Sequence, residues 1–430
     1  MLSSIPGTAA FASRDFRRYQ MARLMVIMGA EAQAVAVAWQ VYEITHRAVD
    51  LGYTGLLLFL PGLLFLLPSG HVADRFDRRT VILVCYTLQG FCTLALLALA
   101  WRRVHNVAPI FALLFLIGSG RAFSAPASAA LLPHLVPADH FVNAVTWGST
   151  VLQIANITGP AVGGLLYTLP WGPNFPGASA VFTFALATEL WFLLLVGTLH
   201  ARPGRMEHRD LSVSVLLAGF RYVWRAKMLL GSISLDLFVV LLGGATALLP
   251  IYAADILHTG PQGLGLLRAA PAFGALIVSM RMAFLPMKRR AGIKMLIGVG
   301  FFGAATMVFG VSTHLAVSVA ALTVVGASDM MSVVVRSSML QLATPASMRG
   351  RVSAVNSLFV GASNELGEFE SGVTAQWWGA VRAVVIGGIG SMVVTGLWAI
   401  LFPALRGVDK LSADSLRIPE AEIAEDVRRG

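Results

Sequence analysis

Runs of about 20 apolar residues alternate with short polar stretches from near residue 18 to near residue 405 of this chain. At 1.5 Å of rise per residue, each run is long enough to cross the roughly 30 Å hydrocarbon layer of a bilayer. The windows fall at 18–44, 51–72, 80–101, 108–130, 141–168 and 178–200, and a second series follows at 228–256, 262–285, 293–312, 315–342, 352–378 and 382–405. This pattern predicts an all-α membrane protein of twelve transmembrane helices in two six-helix bundles, residues 1–200 and 228–405. Between them, 201–227 is a polar, basic linker that ends in an amphipathic helix. Val215, Leu216, Phe220 and Val223 share one side of that helix and Arg221 and Arg225 another, which suits the cytoplasmic membrane surface. Residues 406–430 turn polar and read as a cytoplasmic tail. The first apolar run continues past the small residues Ala34 to Ala38, so it reads as a retained span and not as a cleaved leader.

Composition sharpens the class. Of 430 residues, 57% are hydrophobic and 13% charged, which excludes a soluble enzyme. A net charge of +10 invites a nucleic-acid partner, yet the basic residues are scattered through short loops. With both termini cytoplasmic, 23 Lys and Arg lie on the cytoplasmic side and four, Arg47, Arg102, Arg103 and Arg382, on the other. Membrane orientation therefore accounts for the charge without nucleic acid. Cys85 and Cys92 share one helix face and cannot bridge each other, and no metal-type cluster or cofactor motif follows. No glycine-lysine ATP loop occurs, so any transport must draw on a gradient.

The halves also repeat. A shift of 208 lays Gly118-Ser119-Gly120-Arg121-Ala122 on Gly326-Ala327-Ser328-Asp329-Met330 and Pro137 on Pro345. A shift of 210 or 211 lays Gly55 on Gly265, Pro61 on Pro271 and Arg78-Arg79 on Arg289-Arg290. Internal repeats of this kind mark secondary transporters, whose substrate site lies at the repeat interface near the midplane.

Between the second and third windows stands Gly70-His-Val-Ala-Asp74-Arg75-Phe-Asp-Arg78-Arg79, which resembles the loop signature of the major facilitator superfamily. It departs at Asp77, where the family usually has glycine. The resemblance implies a gate-latch role for Gly70, Asp74, Arg75 and Arg78; the alternative is that the arginines only enforce orientation. In the fifth window, Gly159-Pro160-Ala-Val-Gly163-Gly164 is similar to the antiporter signature of exporters in that superfamily, with Ala155 in place of a preceding glycine. Glycines four apart let helices approach closely and proline bends a helix, so a packing role and a role in coupling are both open. Pro133-His-Leu-Val-Pro137 with Asn143-Ala-Val, and Arg349-Gly-Arg351-Val-Ser-Ala-Val-Asn356, resemble the drug and siderophore exporter branch, that of the enterobactin exporter. The resemblance spans residues 15 to 405.

Inside the windows stand Glu31, Arg121, Asp236, Asp329, Arg336, Glu365 and Glu368. A charge at the bilayer centre costs about 2.5 to 3.5 kcal/mol on insertion scales, so each is a functional candidate. Glu31, Arg121, Asp329 and Glu365 lie about 20 Å into their windows, near midplane; Asp236 lies nearer the cytoplasmic side. In the superfamily the first, fourth, seventh and tenth spans line the cavity, which implies that Glu31, Arg121, Asp236 and Asp329 look into it. Asp329 and Arg336, seven apart, bracket a polar substrate or belong to an internal charge network. Glu365 and Glu368, one turn apart, repel each other, which favours proton binding by one of them; the other reading is an acidic cluster facing a basic partner. Trp39 stacks on a ligand or packs.

Together these features predict a secondary transporter, a proton-coupled exporter of a small amphiphilic molecule such as a siderophore or drug, working by alternating access. Glu31, Asp329, Glu365 and Glu368 are the proton candidates, and Arg121, Asp236, Asp329, Arg336 and Trp39 the substrate contacts. The expected partners are the small-molecule substrate, protons and the lipid bilayer, with the chain a monomer in the bacterial inner membrane. A general multidrug or lysolipid transporter is the alternative, and a non-transporting receptor or scaffold the alternative of another class.

Overall fold

In the computed structural model, which describes residues 9–169, 171, 175–199, 213–285, 287, 289–345 and 348–409, the apolar windows are helical and no strand occurs among the described residues. The chain runs through α1 (Arg14–Thr45), α2 (Ala48–Leu64), α3 (Leu66–Arg75), α4 (Arg78–Trp101), α5 (Ala108–Leu131), α6 (Phe141–Thr168) and α7 (Gly177–Gly197). It continues through α8 (Val213–Arg225), α9 (Lys227–Leu242), α10 (Leu249–Ile251), α11 (Gly260–Phe284), α12 (Ala291–Val311), α13 (Leu315–Ala343), α14 (Arg349–Trp378), α15 (Ala380–Leu401) and the short α16 (Pro403–Arg406). The protein is thus an all-α membrane protein. Nine stretches among the described residues are long and apolar enough to cross a membrane. At 28 and 30 residues α6 and α14 have the length without the same apolarity, and α2 has only 17 residues.

Two windows that read as continuous in sequence are broken. The second divides at Phe65, because Pro68 has no N–H to offer the Leu64 carbonyl and its ring crowds that carbonyl. The neighbouring ladder bonds, Phe65 N to the Pro61 carbonyl and Ser69 N to the Phe65 carbonyl, both survive at 2.8 Å. The seventh window ends its first helix at Gly243 and resumes as a 3-10 turn at Ala245–Leu248, then α10, then a π turn at Tyr252–Ile256. Gly244 has to be bare, since a Cβ there would lie 2.4 Å from the Gly367 carbonyl oxygen of α14.

The chain forms two compact units. The first comprises residues 1–211, 246–272 and 313–315. In it α1 packs on α6 and α7, and α4 on α5 and α7, around Phe16, Ile82, Leu131 and Phe192. Residues 246–272 are tied into this unit: the Tyr42 hydroxyl donates to Asp255, and Gly164 of α6 meets Pro261 and Gly265 of α11. The second unit comprises residues 212–245, 273–312 and 316–430. There α12 packs on α15, and α9 on both α14 and α15, around Leu229, Leu235, Val335, Met339 and Val352.

Helix α8 is part of the second unit and packs on α9 and α14. Its Tyr222 hydroxyl donates to the Ala343 carbonyl at 3.0 Å, and Gly219 sits against the Arg351 carbonyl. The apolar side expected from sequence is divided: Val223 is buried, whereas Phe220 is exposed and stacks on Phe359. The side chains of Val215 and Leu216 lie outside the described residues. Large apolar side chains such as Phe91, Leu94 and Leu194 in one unit, and Phe301, Val311 and Ile400 in the other, stand exposed on outer faces. Such faces suit lipid and not water.

Candidate functional site

In the second unit, apolar helices α9 and α13 carry two opposite charges, Asp236 and Arg336, at similar distances from their ends. Asp236 lies nine residues after Lys227 and Arg336 seven before Ala343. The two side chains form an ion pair whose members are only 6% and 4% exposed. Removing two charges from water costs several kcal/mol each, and only close mutual contact offsets it. Asp329, two turns before Arg336 on α13, is near enough to feel both charges. The structure therefore brings Asp236, Asp329 and Arg336 into one cluster, with Arg336 bonded to Asp236. Glu365 and Glu368 are half-buried on α14 and flank Gly367, which lies against Val240 and Leu241 of α9.

In the first unit, Arg121 on α5 is exposed, while its neighbour Gly120 faces Cys85 and Gln89 of α4. Glu31 is half-buried on α1, with its Cβ against Gly159 of α6. A Cβ on Gly163 would lie 2.7 Å from the Ala32 Cα, so Gly159 and Gly163 together permit the close contact of α6 with α1. The Pro160 carbonyl oxygen and Gly164 both abut Gly265 of α11. Trp39 is buried and meets Tyr167 edge to face at a centroid distance of 6.4 Å, and Tyr167 donates to Glu43 at 3.0 Å.

The loop between α3 and α4 is held by its basic residues. Arg78 is buried, donating to the Ala130 carbonyl at 3.2 Å and contacting His134 Nε2 at 2.7 Å. Arg79 reaches the Gly197 and Leu199 carbonyls at the end of α7, the end at which the helix dipole favours a cation. Asp77 caps α4: its carboxylate accepts from Thr80 N at 2.9 Å and from Thr80 Oγ1 at 2.8 Å. Its φ of −59° is ordinary for any residue, so no glycine is needed at that turn. Arg75 is exposed and Gly70 buried; the side chain of Asp74 lies outside the described residues.

The sequence profile of the transmembrane secretion effector family matches residues 5–430. The chain belongs to that family, within the major facilitator superfamily. It is 27% identical over 384 residues to the enterobactin exporter EntS of Shigella boydii serotype 18, covering 88% of this chain and 85% of the relative. The enterobactin exporter EntS of Escherichia coli O1:K1 is 27% identical over 385 residues, with the same coverage. Among solved structures, the fold is shared with a POT family transporter in complex with 5-aminolevulinic acid, at a TM-score of 0.70 and 14% identity over 91% of this chain and 97% of the other. An inward-facing bacterial homologue of the iron transporter ferroportin gives a TM-score of 0.67 at 16% identity, over 92% and 99%. This transmembrane secretion effector is therefore a multi-pass membrane transporter and not an enzyme.

One buried charge of this secretion effector was missed by reasoning from sequence. Glu189, 12 residues into α7, is 7% exposed and accepts from Thr93 of α4 at 3.0 Å. Its depth in an apolar helix was the available signal, the same one that singled out Glu31 and Asp329. The pairing of Asp236 with Arg336 was also available, because the two residues have opposite charge and similar depth on separate helices.

Proposed function

We propose that this secretion effector is a proton-coupled exporter of a small amphiphilic molecule of the siderophore or drug class, working by alternating access. Twelve spans with both termini cytoplasmic, in a bacterial inner membrane, complete the reading. The observation that carries it is the cluster of buried Asp236 and Arg336 with half-buried Asp329: one cation among two acids, inside a transporter unit. A charged group on a substrate is able to exchange with one member of the Asp236–Arg336 pair, and a proton on Asp329 alters the charge balance that holds it. The match to the secretion effector family and the likeness to enterobactin exporters support export and an amphiphilic cargo.

In this reading Arg121, Asp236, Asp329, Arg336 and Trp39 meet the substrate, and Glu31, Asp329, Glu365 and Glu368 handle protons. A proton shifts the transport equilibrium only if the two access states bind it differently, so a half-buried acid is better suited than a permanently solvated one. The segment Gly70 to Arg78 and the Gly159–Gly164 turn of α6 act in gating.

Everted membrane vesicles test the proposal. Enterobactin and a panel of amphiphilic drugs and lysolipids are offered outside, with the lumen made acidic. Accumulation that requires the acidic lumen and collapses with a protonophore is expected. Accumulation indifferent to the gradient overturns proton coupling, and failure of the whole panel to move overturns the substrate class. Glu365→Gln and Glu368→Gln should each lower gradient-driven accumulation at unchanged expression; wild-type pH dependence in both removes α14 from proton handling.

A further inference from the structure

The first unit holds an acid for which the proposed transport cycle has no use. Glu189 is buried where α7 meets α1 and α4. The helices are in close contact there: a Cβ on Gly29 of α1 would lie 2.0 Å from Thr188 Oγ1 of α7. One turn along α1, the buried Gln33 reaches the same seam. Thr93 Oγ1 lies 3.0 Å from Glu189 Oε1 and 3.4 Å from Gln33 Oε1. Glu189 Oε2 has no hydrogen-bond partner.

The partners of this carboxyl are neutral. Arg121 of α5 attracts it from beyond hydrogen-bonding distance, and Tyr86 and Cys92 of α4 are the titratable groups near it. From α1 the group that faces it is Gln33, since Glu31 turns its Cβ to Gly159 of α6. The sole titratable residue of α6 is Tyr167, which is bonded to Glu43. An ionised carboxylate in such a place has no cation in contact to offset its desolvation.

The hydrogen count gives a separate argument. Thr93 has one hydroxyl hydrogen, but both Gln33 Oε1 and Glu189 Oε1 are placed as acceptors of it. Two states resolve the conflict, and in the one with a proton on Glu189 the acid donates to Thr93 and Thr93 donates to Gln33 Oε1. When that proton leaves for water, Thr93 turns its hydrogen to Glu189, and Gln33 rotates its amide to donate through Nε2 to Thr93. The Glu189–Thr93 and Thr93–Gln33 contacts each have one donor and one acceptor in both states, and the chain of donors reverses direction.

We propose that Glu189 is a proton-binding site, and that its proton sets the direction of a two-state hydrogen-bond chain, Glu189–Thr93–Gln33, which ties α7 through α4 to α1. Its place in transport rests on the proton-coupled reading above; proton binding itself does not.

Infrared titration of the purified full-length protein in lipid nanodiscs, with no substrate present, tests the site. Wild type should show the carbonyl stretch of a protonated carboxylic acid at neutral pH that fades on alkaline titration, and Glu189→Gln should lose one carboxyl's share of that band. Thr93→Val, which leaves the acid in place, should move the midpoint of the fading. An undiminished band in Glu189→Gln overturns the site. An unmoved midpoint in Thr93→Val overturns the chain, and does so even if Glu189→Gln fails to fold. A band that responds to added sodium at fixed pH assigns the oxygens to a metal cation and overturns the proton. If vesicle transport ignores the pH gradient while the Glu189 band titrates as expected, proton-coupled export fails and the proton site stands.

Discussion

Each unit buries an acid in an apolar helix, and the two acids are neutralised differently. Asp236 of α9 has a guanidinium in contact. Glu189 of α7 has a threonine hydroxyl and, beyond it, a glutamine. The first arrangement works only while both charges stay together, because removing either leaves the other stranded in a medium that solvates it poorly. The second tolerates a neutral acid and has hydrogen bonds for either protonation state. A fixed ion pair thus suits a structural or substrate-exchangeable lock, and an acid among neutral partners suits proton storage.

The comparison breaks most readily at the lock. Arg336→Ala strands Asp236, and a loss of about 3 to 5 kcal/mol of stability is expected, read as a large fall in thermal unfolding temperature in detergent. The double variant Asp236→Leu with Arg336→Met should recover most of that loss; if it is as unstable as Arg336→Ala alone, the pair is not what holds this region. Next in size, Gly29→Ala wedges α1 away from Thr188 and should cost about 1 to 3 kcal/mol, as overpacking does. It should also weaken the bond between Gln33 and Thr93, seen as a displaced infrared midpoint for the first-unit acid. The smallest effect is expected for Glu189→Gln, which keeps the shape and the bond to Thr93 and should alter stability by about 1 kcal/mol or less. Asp236→Asn, an equally conservative change beside Arg336, should cost clearly more. Equal losses in these two variants would erase the distinction between the acids.

Much of the architecture was legible because lipid imposes it. Apolar length is a one-dimensional signal, and the windows found the helices to within a few residues. The breaks were less visible. Pro68 stands three residues beyond the fracture it causes, and the gap at Gly243-Gly244 is set by a neighbour, Gly367, more than 100 residues away in sequence. The site was legible in its charges and obscure in its pairings. Asp329 and Arg336 drew attention as neighbours on one helix, while the bond of Arg336 runs to another. Glu189 went unread although its depth matched that of Glu31, and its partners, Thr93 and Gln33, carry no charge to mark them. Asp77, a departure from the family's usual glycine, proved to have its own use as the cap of α4.

The break in the seventh window bears on mechanics. Among the described residues, the backbone passes from one compact unit to the other at residues 245–246, 272–273, 312–313 and 315–316. The first crossing follows Gly243-Gly244, the second follows Pro271 inside α11, and the last two lie around the turn between α12 and α13. These are places where the helical ladder is already interrupted or lacks a donor. A helix has fewer backbone hydrogen bonds to lose at such places, so local bending there costs less than in an unbroken turn.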